Sequence, residues 1–182
     1  GIAYILAVAL GVVVGVVAAV NHGKWVDSVL MTISVFGISA PAFWIAIILQ
    51  IVICLKFNLL PLSGIDSFKS FILPGIALGT RYAASIARIT RTSMLDVLSQ
   101  DYIRTAEAKG LKGWVVTIKH ALRNALIPII TIAGSDLGNI LTGSVLVESV
   151  FSIPGIGKML VDSINTRDLP IVQGGVMYIA VI

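Results

Sequence analysis

Residues 1–20 decide the fold class: they read GIAYILAVALGVVVGVVAAV and contain no charged side chain. As an α-helix this run is about 30 Å long, which matches the hydrocarbon core of a bilayer. It lacks the basic start of a secretory signal peptide, so we interpret it as a membrane-spanning helix. The chain begins with Gly1 rather than Met, and we expect further sequence upstream of it.

The overall composition places the chain among membrane proteins. Hydrophobic residues make up 57% of it and charged residues 12%, and the mean hydropathy is +1.01. A soluble domain carries about 25% charged residues, so an ordinary soluble fold is excluded. Cys54 is the only cysteine, and His22 and His120 are far apart without an HExxH motif. The sequence therefore predicts neither a disulfide framework nor a metal site.

Further runs of membrane length or composition follow. They are residues 28–55, 71–98, 128–147 and 170–182. Pro41 can bend the first of these, and Pro74 fits the first turn of the second. The last run is about 18 Å long as a helix, too short to cross a bilayer, so we expect the chain to continue. The prediction is an all-α, polytopic transmembrane helical bundle with five spans, forming one domain that is incomplete at both ends.

Small residues spaced four apart occur in three of the predicted spans. These pairs are Gly11 and Gly15, Gly75 and Gly79, and Gly134 and Gly138. Small residues at this spacing let two helix backbones approach closely in lipid. We therefore expect a tightly packed bundle.

The basic residues orient the chain in the membrane. Eight of the thirteen Lys and Arg residues lie between Arg81 and Arg123. Such a stretch can bind nucleic acid, but cytoplasmic loops of membrane proteins also collect basic residues. In a chain this apolar we favour the cytoplasmic loop and expect no nucleic-acid partner. The loops at residues 56–69 and 148–169 then lie on the outer side.

The cytoplasmic loop contains a short predicted helix. Residues 101–111 read DYIRTAEAKGL. Asp101 is a favourable N-cap, Lys109 suits the last turn, and Gly110 suits a C′ position with positive φ. A short charged helix outside the membrane fits a groove on a partner protein, although it can also serve as a plain structural connector.

At these residues the chain resembles a known family. The loop continues as KHALRNALIP at residues 119–128, and it is flanked by ARITRTSML at residues 87–95 and by VESVFSIPGIG at residues 147–157. This pattern resembles permease subunits of ABC importers in the dipeptide, oligopeptide and nickel branch. It departs from the general EAA loop of such permeases, because Arg104 and Thr105 replace Glu and Ala and Arg123 replaces Pro.

The resemblance implies a fold and a set of partners. Such subunits have six spans, of which the first precedes this chain. Two permease subunits line a path across the prokaryotic cell membrane, two ATPase subunits bind the loop at residues 99–124, and an extracytoplasmic binding protein delivers the substrate. The chain has no Walker A motif, so it is not an enzyme, holds no cofactor itself, and relies on its partners to bind ATP and Mg.

The resemblance also assigns residues to the ATPase contact and a class of substrate. The coupling residues are Asp101, Tyr102, Arg104, Thr105, Ala106, Glu107, Ala108, Lys109, Gly110 and Leu111. Members of the branch take up peptides, nickel complexes and other small solutes. We expect peptides, and keep nickel or another small solute as the alternative.

A second short helix is predicted on the outer side. Ile156, Met159, Leu160 and Ile164 recur at helical spacing after the turn at Pro154. We expect an amphipathic helix that lies at the outer surface and contributes to a mouth for the binding protein, with Glu148 and Lys158 as mouth residues. The alternative is a surface helix that only packs on the bundle.

Two charged residues are predicted near mid-membrane. Arg81 lies about 11–15 Å into its span and Asp136 about 12 Å into the fourth. Because a charge there is costly, each must face the interior or a partner. They either pair with each other or line the translocation path, whereas Arg88 and Arg91 lie closer to the cytoplasm and can snorkel.

Two other classes of function remain as alternatives. A channel or ion-coupled carrier is typically marked by several carboxylates within the spans, and here only Asp136 qualifies. An intramembrane enzyme needs a nucleophile and base at matching depth or a metal cluster, and the sequence offers neither.

Overall fold

The structure is a computed structural model that describes residues 2–65, 67–142 and 145–181, with backbone alone at residues 2 and 139–142. Helices and their connecting turns account for the described part of the chain, and no strand occurs in it. The helices are α1 Ile2–Val20, α2 Trp25–Ser39, α3 Ala42–Leu49, α4 Ile72–Leu98, α5 Asp101–Ala108, α6 Gly113–Val115, α7 Arg123–Thr142, α8 Val145–Val150, α9 Ile156–Thr166 and α10 Leu169–Val181. The predicted all-α bundle is confirmed.

Length and composition identify the helices that can cross a membrane. Among the described residues, Ala3–Val20 and Gly113–Gly138 are long and apolar enough to do so. The bent pair of α2 and α3 is a third candidate if the two helices are taken together as a single span. The remaining long helix, α4, runs for 27 residues but carries three arginines. The last predicted span forms α10, which has 13 residues.

The second predicted span is broken rather than bent. α2 and the helix that follows it meet at an angle of 102°. Ala40 and Pro41 are both extended at the break, with ψ of 127° and 138°. Pro41 has no backbone N–H and disfavours helical geometry in the residue before it. Pro41 was correctly predicted as the point where this span changes direction. Residues 28–55, however, do not form one continuous helix.

The fourth span begins earlier than predicted. The chain is helical from Gly113, passes through a π-helical stretch at Val116–Leu122, and continues as α7. Pro128, predicted to start this span, lies inside α7. A proline inside a membrane helix is tolerated where neighbouring groups satisfy the freed carbonyl, so it did not mark a helix start. The predicted end near residue 147 falls in α8.

Helices α1 and α4 form the centre of the bundle because of their glycines. A Cβ added to Gly11 would lie 2.6 Å from the carbonyl oxygen of Ala83, and one added to Gly15 would lie 2.5 Å from that of Ala87. These distances are shorter than real Cβ contacts, so the two backbones can approach this closely only at glycine.

The glycines of α4 complete the same contact from the other side. A Cβ on Gly75 would lie 3.0 Å from the Cβ of Ala3, and one on Gly79 would lie 3.3 Å from the Cβ of Ala7. Two of the three predicted pairs therefore pack α1 against α4. The third pair, Gly134 and Gly138, faces open space with no atom of the described residues within 4 Å, so the expectation of tight packing was wrong for it.

A buried apolar cluster connects the loop at residues 99–124 to the bundle. It brings together Ala19 of α1, Met94 of α4, Ile103 of α5 and Ile129 of α7. A second cluster joins α3, α4 and α8 around Phe151. The short helix α5 therefore shares one apolar core with three long helices.

Candidate functional site

The predicted coupling helix is present as α5, Asp101–Ala108. Its N-cap is Gln100, which is extended at φ −77° and ψ 148° and makes no side-chain cap hydrogen bond. The predicted N-cap, Asp101, is instead the first helical residue, where its carboxylate still favours the positive end of the helix dipole. It lies 3.7 Å from the guanidinium of Arg104, its neighbour one turn along.

The end of α5 is a Schellman motif centred on Gly110. The N–H of Gly110 donates to the carbonyl of Glu107 at 2.8 Å, and the N–H of Leu111 donates to that of Ala106 at 3.4 Å. Gly110 has φ +76°, as predicted. A left-handed residue at this position closes the helix and satisfies two carbonyls that would otherwise lack a partner.

The two faces of α5 have different roles. Ile103 is 2% exposed and Ala106 6% exposed, and both pack in the apolar cluster with Met94. Ala106, predicted among the coupling residues, is buried in this cluster, so its side chain faces the bundle rather than solvent. The other predicted coupling residues are exposed: Asp101, Tyr102, Arg104, Thr105, Glu107, Ala108, Lys109, Gly110 and Leu111.

Two residues of the loop at residues 99–124 were not among the predicted coupling residues. The amide of Asn124 donates to the hydroxyl of Tyr102 at 2.8 Å and to the carbonyl of His120 at 3.0 Å, and so ties α5 to the start of α7. Trp114 is 68% exposed in this loop. The sequence signal that could have identified Trp114 was a large aromatic residue in a basic loop, since exposed aromatic residues are enriched at protein contacts.

Asp136 lies among tyrosines rather than beside an arginine. Among the described residues, no ion pair joins it to Arg81, and its Oδ2 atom is buried without a hydrogen-bond partner. The hydroxyls of Tyr4 and Tyr82 are within electrostatic range of its carboxylate. The two tyrosine rings meet edge to face with centroids 5.5 Å apart. Arg81 is exposed on α4.

An apolar groove of about 980 Å³ lies elsewhere, between α1, α2 and α4. Leu6, Leu10, Ile33, Ser34, Gly75 and Thr80 are among its lining residues. Neither Arg81 nor Asp136 contributes to the lining, whereas Glu148 does. Arg81 and Asp136, the two charged residues predicted near mid-membrane, therefore lie outside this groove.

The predicted outer helix is present as α9, with Gly155 at its N-cap. One oxygen of Glu148 accepts the backbone N–H of Lys158 at 3.1 Å, and a Cβ on Gly157 would lie 2.8 Å from that oxygen. The carboxylate therefore caps the start of α9, where a negative charge is favoured. The side chain of Lys158 pairs with Asp162 at 3.2 Å.

Only part of the predicted apolar stripe of α9 packs on the chain. Leu160 is 7% exposed, whereas Ile156, Met159 and Ile164 are 40%, 43% and 59% exposed. The buried face runs instead through Gly157, Leu160 and Ser163. The helix is amphipathic as predicted, and three of the four residues in its predicted apolar stripe are exposed.

Comparison with known proteins identifies the family. The family model described as the binding-protein-dependent transport system inner membrane component matches residues 11–182. The chain belongs to this family. It is 47% identical over 171 residues to the glutathione transport system permease protein GsiC of Escherichia coli (strain K12), and 46% identical over 173 residues to that of Salmonella typhi.

These alignments cover 94% and 95% of this chain and 56% of each relative. The chain thus spans about half the length of the curated relatives it matches. The resemblance drawn from the coupling-loop motifs is confirmed, as is the membrane class. The family model covers the coupling loop, Asp136 and α9, so all three sites lie within the shared region.

One polar cluster of this chain was not predicted from the sequence. Arg91 of α4 was expected to snorkel towards the cytoplasm, but its Nε and Nη2 atoms lie 2.6 and 2.7 Å from the two carboxylate oxygens of Asp27 in α2. Arg88, one turn earlier, is exposed as predicted. The available signal was Asp27 itself, an acid in the first turn of an otherwise apolar helix.

Proposed function

We propose that this chain is part of the permease subunit of an ATP-driven ABC importer that takes up peptides across a prokaryotic cell membrane. The observation that carries the proposal is α5, which is anchored in the bundle by Ile103 and exposes its charged face outside it. A rigidly anchored helix with a free polar face transmits a partner's movement better than a flexible loop does. A plain connector has no need of such an anchor.

The partners follow from the same arrangement. ATPase subunits bind α5 and the rest of residues 99–124, and they alone hold ATP and Mg, so this chain performs no chemistry. A second permease subunit completes the path, and the free face of α7 with Gly134 and Gly138 suits close approach of another helix. An extracytoplasmic binding protein docks at the outer mouth, to which Glu148 and Lys158 belong.

The substrate class rests on the relatives. These relatives belong to glutathione transport systems, and glutathione is a tripeptide. That favours short peptides over nickel complexes for this chain. The alternative of a channel or ion-coupled carrier is disfavoured by family membership, since the family's transport systems depend on a binding protein.

Reconstitution tests the proposal. We expect the full-length protein to copurify with ATPase subunits and, in proteoliposomes with its binding protein, to take up a labelled tripeptide only when ATP is present. A matched sample with a non-hydrolysable nucleotide is the control. Uptake of nickel instead of peptide would contradict the substrate class, and uptake driven by an ion gradient without ATP would contradict the whole proposal.

We further propose that Asp136 lines the translocation path and meets the cationic amino terminus of a passing peptide. Its buried oxygen without a partner supports this, since a buried carboxylate needs a compensating donor. Arg81, which makes no ion pair among the described residues, is proposed to meet the peptide's carboxylate. Both groups then act on the substrate rather than on each other.

Asp136→Asn should lower uptake of a peptide with a free amino terminus by about tenfold, because a hydrogen bond to a charged group is lost. Uptake of the same peptide with an acetylated amino terminus should not change. The matched control is Ser135→Ala, its exposed neighbour. If Asp136→Asn slows both peptides equally or prevents assembly, the carboxylate has a structural role instead.

A further inference from the structure

We propose that Asp27 and Arg91 are positioning residues that make α2, a wall of the apolar groove, move with the coupling helix α5. The inference rests on the proposed function and adds to it a mechanical connection between two parts of the permease. We use the name polar clamp for the side chains of Asp27, Arg91 and His22.

The clamp has the geometry of a rigid joint. Arg91 holds Asp27 with two parallel contacts of 2.6 and 2.7 Å, and such a two-pronged pair fixes orientation as well as distance. The N–H of Gly23 donates to the same carboxylate at 3.2 Å. Nδ1 of His22 lies 3.3 Å from Asp27 and 3.0 Å from Arg91. The carboxylate therefore accepts hydrogen bonds from two sides, from Arg91 and from the backbone of Gly23.

Stability alone does not account for this pair. Asp27 is 4% exposed, and the cost of removing two charges from water offsets most of the attraction between them. Apolar residues of similar volume would stabilise the turn equally well. What the ion pair adds is a single fixed geometry between α2 and α4.

On one side the clamp leads to the coupling helix. Arg91 is followed along the same uninterrupted helix by Met94, which is fully buried in the apolar cluster that also contains Ile103 and Ala106 of α5. From Arg91 to the end of α4 at Leu98 the helix extends for about 10 Å. Since helix and core are both rigid on this scale, a displacement of α5 reaches Arg91.

On the other side the clamp leads to the groove. α2 continues from Asp27 through Leu30, Ile33 and Ser34, which line it. Near the break after α2, Gly37 packs on α4, where an added Cβ would lie 3.0 Å from that of Ala84. α2 is thus held to α4 at both ends, and its cytoplasmic end is held by the clamp.

The test compares uptake with ATP hydrolysis in the assembled importer. Asp27→Asn and Arg91→Lys should leave ATP hydrolysis within about twofold of the original protein but lower peptide uptake per ATP by about tenfold, within the range by which coupling residues act. Arg88→Lys, on the exposed side of α4, is the control and should change neither. The exchanged pair, Asp27→Arg with Arg91→Asp, should recover part of the lost uptake.

A second measurement does not depend on transport. Spin labels at positions 32 and 104, in a Cys54→Ala background, should give one narrow distance distribution that Asp27→Asn broadens. An unchanged ratio of uptake to hydrolysis in both single variants would overturn the proposal. The proposal would also be overturned if both single variants failed to assemble while His22→Ala kept a normal ratio of peptide uptake to ATP hydrolysis. The side chain of His22 is 61% exposed. If the original protein neither hydrolyses ATP with its partners nor imports peptide, the proposed function fails, and the spin-label distances still decide whether the clamp joins α2 to α5.

Discussion

Replacing Gly15 with alanine should destabilise the bundle by about 1–3 kcal/mol, the usual cost of overpacking a well-packed interior. The new methyl group would lie 2.5 Å from the carbonyl oxygen of Ala87 and would also meet the Cβ of Thr90. Both obstacles are backbone or β-branched atoms, which cannot rotate away. The helices α1 and α4 would therefore have to separate along their contact.

Gly134→Ala is the matched control for this experiment. It makes the same substitution inside a membrane helix, but no atom of the described residues lies within 4 Å of the added methyl group. It should leave the free energy of unfolding unchanged or raise it by up to about 1 kcal/mol, because alanine favours the helix. The free energies come from reversible unfolding in mixed micelles. Equal values for the two variants would show that α1 and α4 do not touch as closely as described.

Gly110→Val should disconnect α5 from its ATPase partner while the bundle remains folded. At φ +76° a residue with a side chain is disfavoured by about 1–2 kcal/mol, and a β-branched one more so. The chain relieves that strain by opening the two hydrogen bonds that close α5. Glu107 and Lys109, on the exposed face next to the opened turn, would then lose their positions.

The expected result is about a tenfold loss of ATPase affinity or of substrate-stimulated ATP hydrolysis, with monomer stability reduced by no more than the strain itself. Gly174→Val is the control, because Gly174 also has no atom of the described residues within 4 Å, does not have a positive φ and lies outside residues 99–124. Normal stimulation of ATP hydrolysis in Gly110→Val would mean that the C-terminal turn of α5 does not contribute to coupling.

The sequence alone was sufficient for features encoded within a few residues of one another. The uncharged run at residues 1–20 specifies α1 because a bilayer requires a helix of that length and polarity. Gly110 specifies the end of α5 because its φ is set locally. The same holds for α9, whose start follows from a turn at Pro154 and Gly155 and whose faces follow from its periodicity.

The tertiary structure decided what depends on distant neighbours. Arg91 and Asp27 are 64 residues apart in sequence, and nothing local distinguishes Arg91 from the exposed Arg88. Pro41 breaks its helix while Pro128 lies inside one, since only the surroundings decide whether the unpaired carbonyl finds a partner. Ala106 is buried in the core. A Cβ added to Gly15 would meet α4, whereas one added to Gly134 would meet no atom of the described residues. Hydropathy and capping act along the chain, whereas contacts between helices depend on how the whole bundle packs.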